Sequence, residues 1–456
     1  MLHLSVNCRQ RTLRFLLFAE TSTVGAHGQM RVFLKTYGCS ANTADGEVLA
    51  GCLTNAGYKL AANEAEADLL IYNTCAVKGP TENRIIDDMK HAPKGKKLIV
   101  AGCLPKISFE RLLREVHFDG VVGPSVAGEI VGVVSRVAAG EKVVDLEGLK
   151  GKPKLDLPRV QSNPVVSVVS VNSGCLGSCA YCCVVFARGK LRSYSIAEVA
   201  DRVKADAAGG AKEIWLTSQD TGSYGRDLHT DLAELLKALG EVEGDFHVRV
   251  GMITPNLVTD IQDRLTKAFA SPRVFKFLHL PVQSGDDETL RRMRRFYTAA
   301  QFKGIIDAFR ARFPDLTLAT DVIVGFPGES EEAFQRTLGL LEEVKPDVTN
   351  VSKFFARPKT AAAQMRDGLV DRDEIKQRSA AASEVAKRVS LERNRRWVGW
   401  EGDVLIDETG KVAGSWMGRN FAYKPVVVKS VENLLGKTVR VKVDAAAESY
   451  LKGALA

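Results

Sequence analysis

The sequence predicts an α/β protein in three parts. An N-terminal parallel-sheet α/β domain is followed by a partial (β/α)6 barrel and then by a small C-terminal β-barrel. Three observations carry this. Apolar runs alternate with amphipathic stretches from residue 30 to about 140, and again from 165 to about 355, the pattern of parallel strands covered on both faces by helices. From Val398 the pattern changes to short strand-like runs separated by turns.

The elements follow in order. Residues 1–29 read unlike the rest, as a disordered or mis-assigned leader, with a targeting segment as the alternative, and Cys8 within them is expected to be no ligand. Met30 opens the strand "RVFLKTYGC"; "ADGEVLAGCLTNAG" is an amphipathic helix, "DLLIYNTC" a buried strand and "PTENRIIDDMK" a helix. "KKLIVAGC", "SFERLLREV" and "GVVGP" continue the alternation to 140, closing the first domain. Residues 141–164 are polar and rich in Lys, Gly and Pro, a linker or covering strap. The second domain, 165–392, offers six strand candidates: "VVSVVSV", "EIWLTS", "HVRVGMI", "VFKFLHL", "LTLATDVIVGF" and "DVTNVSKFF". Helical stretches lie between them, and sites in such barrels form at the C-terminal ends of the strands. Residues 393–456 make the small barrel, entered through the helical stretch "DRDEIKQRSAAASEVAKRVSLERNRRW".

The chain has 456 residues and nine cysteines, an odd number with no clear secretory signal. That points to a reducing cytoplasm, and to metal or catalytic thiols rather than a disulfide framework. No apolar run suffices to span a bilayer. The formal charge of +8 favours polyanionic partners such as nucleic acid, though weakly.

The cysteines carry the chemistry. Cys39, Cys75 and Cys103 each stand just past a strand's C-terminal end, where open α/β sheets bind ligands. They can converge although distant in sequence; the alternative is three small buried residues. Cys52 lies within a helix and reads as buried packing. In "SGCLGSCAYCCVVFARGK", Cys175, Cys179 and Cys182 form C-x3-C-x2-C. A closed zinc site needs four ligands. Cys183 is adjacent, but neighbouring residues of an extended chain point to opposite sides, so Cys183 reads as packing. Three thiolates on a short loop suit an iron–sulfur cluster with one open iron. Gln219, Asp220, Thr254 and Gln283 follow strand candidates, and Asp321 and Gly325 lie on the fifth; polar groups there can hold a ligand or cap turns. Arg188 and Lys190, beside the cysteine loop, can meet a phosphate or carboxylate or form a solvated face.

The C-x3-C-x2-C with Tyr181 before its last cysteine resembles the signature of radical S-adenosylmethionine (SAM) enzymes. "YGCSANTADGE", "NTCAVKGPTENR" and "AGCLPK" resemble the surroundings of the auxiliary-cluster cysteines of the methylthiotransferase branch. "LTSQDTGSYGRD", "LHLPVQSGDDETLRRMRRFYT" and "TDVIVGFPGESEEAF" resemble that branch too. The resemblance implies two [4Fe-4S] clusters, on Cys175, Cys179 and Cys182 and on Cys39, Cys75 and Cys103. It implies that the first binds SAM, whose reductive cleavage gives a 5′-deoxyadenosyl radical, and that the second handles the added sulfur. The SAM contacts would then come from Tyr181, Gln219, Asp220, Thr254, Gln283, Asp321 and Gly325. An electron donor such as ferredoxin or flavodoxin and a sulfur source are implied partners.

The C-terminal barrel interleaves basic and aromatic residues, Arg419, Phe421, Tyr423 and Lys424. It resembles a TRAM domain, which implies RNA binding through phosphate neutralisation and stacking. "FARGKLRSY" and "TSQDTGSYGRD" more closely resemble the archaeal and eukaryotic branch. That branch acts on tRNA, adding methylthio at C2 of N6-threonylcarbamoyladenosine at position 37. The alternatives are isopentenyladenosine, a ribosomal-protein aspartate, or a non-catalytic iron–sulfur RNA-binding protein. One departure is "RPKTAA" at 357–362, with Lys359 and Ala361 where the family often has Gly and Pro.

Overall fold

The computed structural model describes residues 30–148 and 154–456. The expected leader, Cys8 and the middle of the expected linker lie outside the described residues.

The first domain runs β1 (Arg31–Thr36), α1 (Ser40–Asn55), β2 (Lys59–Leu60), β3 (Leu69–Thr74), α2 (Gly79–Lys90), β4 (Lys97–Gly102), α3 (Cys103–Glu115), β5 (Gly120–Val122), α4 (Ile130–Ala138) and β6 (Val143–Asp145). Its six strands pair in parallel in the order β2-β1-β3-β4-β5-β6. Alternation sends Leu69 and Ile71 into one apolar layer and Leu70 and Tyr72 into the other, so β3 is buried along its whole length. The segment read as a linker does more than connect. It contributes β6 to the sheet edge, and then crosses α1, where the Val160 N–H donates to the Glu47 carbonyl at 3.0 Å. A Cβ on Gly51 of α1 would lie 2.2 Å from the Arg159 backbone, so the strap lies directly on the helix.

The second domain comprises β7 (Val166–Ser170), β8 (Asn172–Ser173), α5 (Val184–Arg188), β9 (Arg192–Ser193), α6 (Ile196–Ala208), β10 (Glu213–Thr217), α7 (Leu232–Gly240), β11 (His247–Arg249), α8 (Gln262–Phe269), β12 (Phe277–His279), α9 (Asp287–Arg292), α10 (Ala299–Arg312), β13 (Thr317–Val324), α11 (Glu331–Val344) and β14 (Val348–Lys353). β7, β10 and β11 form one parallel sheet and β12, β13 and β14 another. The Met252–His279 bridge joins them into one open half-barrel. One apolar cluster, including Leu216, Val248, Leu278, Leu318 and Phe309, fills the space between strands and helices. Residues Ser195 and Thr298 begin α6 and α10 with reciprocal capping boxes.

A long helix, α12 (Arg372–Arg395), leads to β15 (Glu401–Thr409), β16 (Ser415–Arg419), β17 (Pro425–Lys429), β18 (Thr438–Ala446) and β19 (Leu451–Leu455). These five strands close into a barrel in the order β15-β16-β17-β19-β18. Its core includes Val404, Ile406, Val426, Val441 and Leu451. Among the described residues, no helix is long and apolar enough to cross a membrane.

Candidate active site at the interface of two cysteine triads

β1, β3 and β4 are neighbours in the sheet, and Thr36 pairs with Asn73 while Thr74 pairs with Gly102. That register delivers Cys39, Cys75 and Cys103 to three adjacent strand ends. Glycines set two of the thiols. Gly38 has φ +101°, and a Cβ there would lie 2.8 Å from the Cys75 sulfur; Gly102 has φ +95°, with the Thr74 carbonyl 2.5 Å from the corresponding point. Asn42 ties the loops together. Its amide donates to the carbonyls of Tyr37 and Thr74, both at 2.8 Å, and its Oδ1 faces the Cys103 sulfur at 3.9 Å.

The second triad lies in the loop between β8 and α5. The Gly177 N–H donates to the Cys175 sulfur at 3.2 Å. The point a Gly177 Cβ would take is 3.3 Å from the Cys175 sulfur and 3.5 Å from the Cys179 sulfur, so both thiols turn over one small residue. Two neighbours brace the loop: Ala180 N–H donates to the Met293 carbonyl, and Ala362 N–H donates to the Ala180 carbonyl. Tyr181 packs edge-on against Phe326. The Arg295 guanidinium donates to the Cys179 sulfur at 3.0 Å and to the Tyr297 hydroxyl at 3.0 Å.

The two triads share one interface. Ser40, next to Cys39, meets Thr217 at the end of β10 with hydroxyls 2.5 Å apart. Arg188, at the end of α5, reaches into the first domain and donates to Asn42 Oδ1 and Asp45 Oδ2, both at 2.7 Å. It was expected to meet a ligand or water; instead its side chain is buried beside Cys103, because Asp45 supplies the opposite charge there. Lys190 is exposed. Cys182 and Cys183 diverge. Cys183 is buried in the first domain's apolar layer, its thiol toward the Ala76 carbonyl at 3.4 Å. Cys52 lies in the core on the opposite face of that sheet.

Burial pushes the Cys175 thiol up to about 11, against the pull of the Gly177 N–H, and burial also raises Cys182 and Cys103. A metal centre that takes such sulfurs as thiolates must displace their protons. Among the described residues, no three His, Cys, Asp or Glu side chains gather closely enough for a single ion. The glycine-lined thiol clusters fit a larger iron–sulfur group, whose thiolates sit on separate irons.

Gln219, Asp220, Thr254 and Gln283 stand at the C-terminal ends of barrel strands, on the side of Cys175. Burial raises the Asp220 carboxyl, against hydrogen bonds from Thr254 and the Gly222 N–H. The Gln219 side-chain oxygen is buried without a partner. Gln283 holds φ +70°, a left-handed conformation that costs a non-glycine residue energy. Asp321 accepts from Asn350 at 2.7 Å and faces His279 Nε2 at 2.9 Å. Burial alone would raise that carboxyl, but His279 and Asn350 hold it below the usual range. Gly325 serves the backbone: its N–H donates to Glu329 at 2.6 Å, and Ile375 occupies the space a side chain would need.

Three family models match the chain: "Radical SAM superfamily" over residues 169–341, "Uncharacterized protein family UPF0004" over 31–123 and "TRAM domain" over 395–456. A Pyrococcus horikoshii protein named probable threonylcarbamoyladenosine tRNA methylthiotransferase is 40% identical over 429 residues, 93% of this chain and 99% of its own length. The Homo sapiens threonylcarbamoyladenosine tRNA methylthiotransferase is 36% identical over 459 residues, 98% of this chain and 78% of its own length. The chain belongs to the threonylcarbamoyladenosine tRNA methylthiotransferase family. Its fold is similar to that of the radical SAM methyltransferase TsrM from Kitasatospora setae, with a TM-score of 0.53 at 14% identity, over 88% of this chain and 81% of the other.

Within this family member, the C-terminal residues expected to face RNA are arranged differently. Lys424 is 2% exposed, and its ammonium donates to Asp347 and Asn394, both at 2.7 Å. Tyr423 donates to Glu213 at 2.7 Å and packs between Phe275 and Phe277. Arg419 pairs with Asp407 at 3.2 Å and Glu408 at 3.3 Å. These three close the lower end of the half-barrel, where β10, β12 and β14 begin, so their charges are satisfied inside the protein. Phe421 remains 45% exposed. Sequence reasoning missed Asn42, Asp45 and Arg295, which support the triads; their signal was position, since each lies within a motif quoted above. It also missed the buried Arg357–Glu82 pair across the domains.

Proposed function

We propose that the chain is a tRNA methylthiotransferase that adds a methylthio group to C2 of N6-threonylcarbamoyladenosine at tRNA position 37. The observation that carries this reading is the junction at Arg188. Arg188, on the short helix that follows the C-x3-C-x2-C loop, bonds the same Asn42 oxygen that Cys103 faces, and this contact supports one reaction space for the two cysteine triads.

In this reading Cys175, Cys179 and Cys182 hold one [4Fe-4S] cluster and Cys39, Cys75 and Cys103 hold a second. With SAM bound, these groups supply one-electron carbon–sulfur cleavage, C–H activation and a sulfur that can be methylated. The chain's own residues orient and enclose. Gln219, with its unpartnered buried oxygen, and Asp220, Thr254 and Gln283 present polar atoms for the amino, carboxylate and ribose groups of SAM. The Asp321 carboxylate, held ionised by His279 and Asn350, is fixed as an acceptor beside them. Tyr181 and Phe326 wall the loop from water. Arg295 holds Cys179 against the barrel.

The tRNA substrate is supported by the TRAM match and by the relatives' names. An electron donor such as ferredoxin or flavodoxin and a sulfur source complete the cycle. The nine cysteines, an odd number read without a clear secretory signal, support a cytoplasmic setting, where thiols stay reduced. Nucleoside mass spectrometry of tRNA from cells with and without the gene is the direct test. Loss of the 2-methylthio derivative on deletion supports the assignment. An unchanged derivative would move the search to isopentenyladenosine and ribosomal-protein aspartates.

A further inference from the structure

With Tyr423 packed inside and Lys424 buried, the single-stranded RNA contacts must be sought elsewhere. Among the described residues, four phenylalanine rings are exposed: Phe186 at 43%, Phe296 at 70%, Phe355 at 50% and Phe421 at 45%. Phe421 belongs to the C-terminal barrel. The other three all stand on segments built onto the C-x3-C-x2-C loop.

Phe186 is on α5, which continues directly from that loop and packs against α3. Phe296 adjoins Arg295, whose guanidinium donates to Cys179, and Met293 accepts from Ala180 of the loop. Phe355 follows the end of β14. Its neighbour Phe354 packs edge-on against Phe326, which packs edge-on against Tyr181 of the loop. The Phe355 ring also lies against the first domain, its atoms 2.9 Å from the point a Gly79 Cβ would take, four residues beyond Cys75. The three rings therefore border the place where both triads meet. Large apolar groups left in water around a reaction centre mark an interaction surface.

The charge around them selects the partner. Lys78, Lys190, Arg294 and Lys353 are exposed beside these rings and form no ion pair among the described residues. Lys78 adjoins Gly79, against which the Phe355 ring lies, so it stands at the same rim. Rings flanked by unpaired cations suit unstacked bases on a phosphate backbone.

We infer that Phe186, Phe296 and Phe355 form a stacking rim that receives unpaired bases of an RNA loop at the reaction mouth, with Lys78, Arg294 and Lys353 on its phosphates. The inference rests on the tRNA reading above and names the surface that engages the substrate. Stacking and charge make separate demands on RNA binding. Loss of a ring removes a π-face and leaves the phosphate contacts; loss of a cation lowers the number of counterions released.

The test is fluorescence anisotropy with a labelled anticodon stem–loop transcript and the cluster-loaded full-length protein, across a salt titration. Phe355→Ala and Phe186→Ala are each expected to weaken binding roughly tenfold with the salt slope unchanged. Phe355→Tyr, which keeps the π-face, should bind as the wild type does. Lys353→Ala and Arg294→Ala should each reduce the salt slope by about one. A fully paired hairpin of equal charge should not distinguish the ring variants. Unchanged affinity of the ring variants for the loop, with wild-type iron content, overturns the rim while leaving the tRNA reading intact. Failure of the wild-type protein to bind the transcript overturns the tRNA reading and the rim with it.

Discussion

The half-barrel has two ends, and each is closed by another domain through buried charges. At the lower end, Asp347 meets Lys424 and Arg393, and Glu213 meets Tyr423. At the upper end, Asp45 meets Arg188 and Lys154, and Glu82 meets Arg357 and Arg111. The devices are alike. The difference lies in what remains unsatisfied. The lower junction leaves Lys424, Arg393 and Arg419 paired and Tyr423 packed, with Arg249 buried against the Phe277 and Tyr423 rings. The upper junction leaves thiols, exposed phenylalanines and unpaired lysines. Charged residues in a junction therefore say little about function until their partners are known; the informative groups are those without one.

The largest expected effects break the upper end. Cys179→Ala should abolish SAM cleavage. Cys75→Ala should spare cleavage, measured as deoxyadenosine released, yet stop methylthiolation; normal product from that variant would remove the need for a second cluster. Next comes the upper clamp. Glu82→Ala leaves Arg357 buried without its carboxylate, and such a break costs about 3–5 kcal/mol. Thermal unfolding should show the loss, and a midpoint unmoved would mean that the pair contributes little to holding the domains. At the lower end, Lys424→Ala leaves Asp347 with Arg393 still beside it, so the cost should be smaller, about 1–3 kcal/mol. Its salt slope for RNA binding should equal that of the wild type; a reduced slope would return Lys424 to the RNA surface. The smallest effect is at Lys359, which holds φ +68°. Lys359→Gly should relieve left-handed strain and raise stability by about 1 kcal/mol, offset in part by losing the Lys359 ammonium's bond to the Lys106 carbonyl. Denaturant midpoints would resolve the sign.

Much of this was legible in the chain. The six barrel strands announced themselves as apolar runs, because a parallel strand under helices is buried on both faces. The cysteine loop was contiguous, so its spacing could be read directly. Elements of two or three residues, β2 and β6, carry too little pattern to be seen. The sequence reading also passes over α4, although Ile130, Val133, Val134 and Val137 are its buried residues and follow the helical repeat. Its valines imitate a strand. The candidate site was half legible. The triads were visible as residue types, but Arg188, Asn42 and Asp45 depend on which loop faces which across a domain boundary. The interleaved Arg419, Tyr423 and Lys424 misled for the same reason: composition shows that a surface is basic and aromatic, and not that another domain covers it.

The lower junction has a geometric consequence. The C-terminal module is tied at Tyr423, at Lys424 and by the Lys276 N–H on the Phe421 carbonyl at 2.8 Å, at the end of a 24-residue helix about 36 Å long. A module moored so firmly cannot swing on its tether. It stands at a set span from the mouth, like the fixed jaw of a caliper, and an RNA gripped by both would be gauged by length before any base is read.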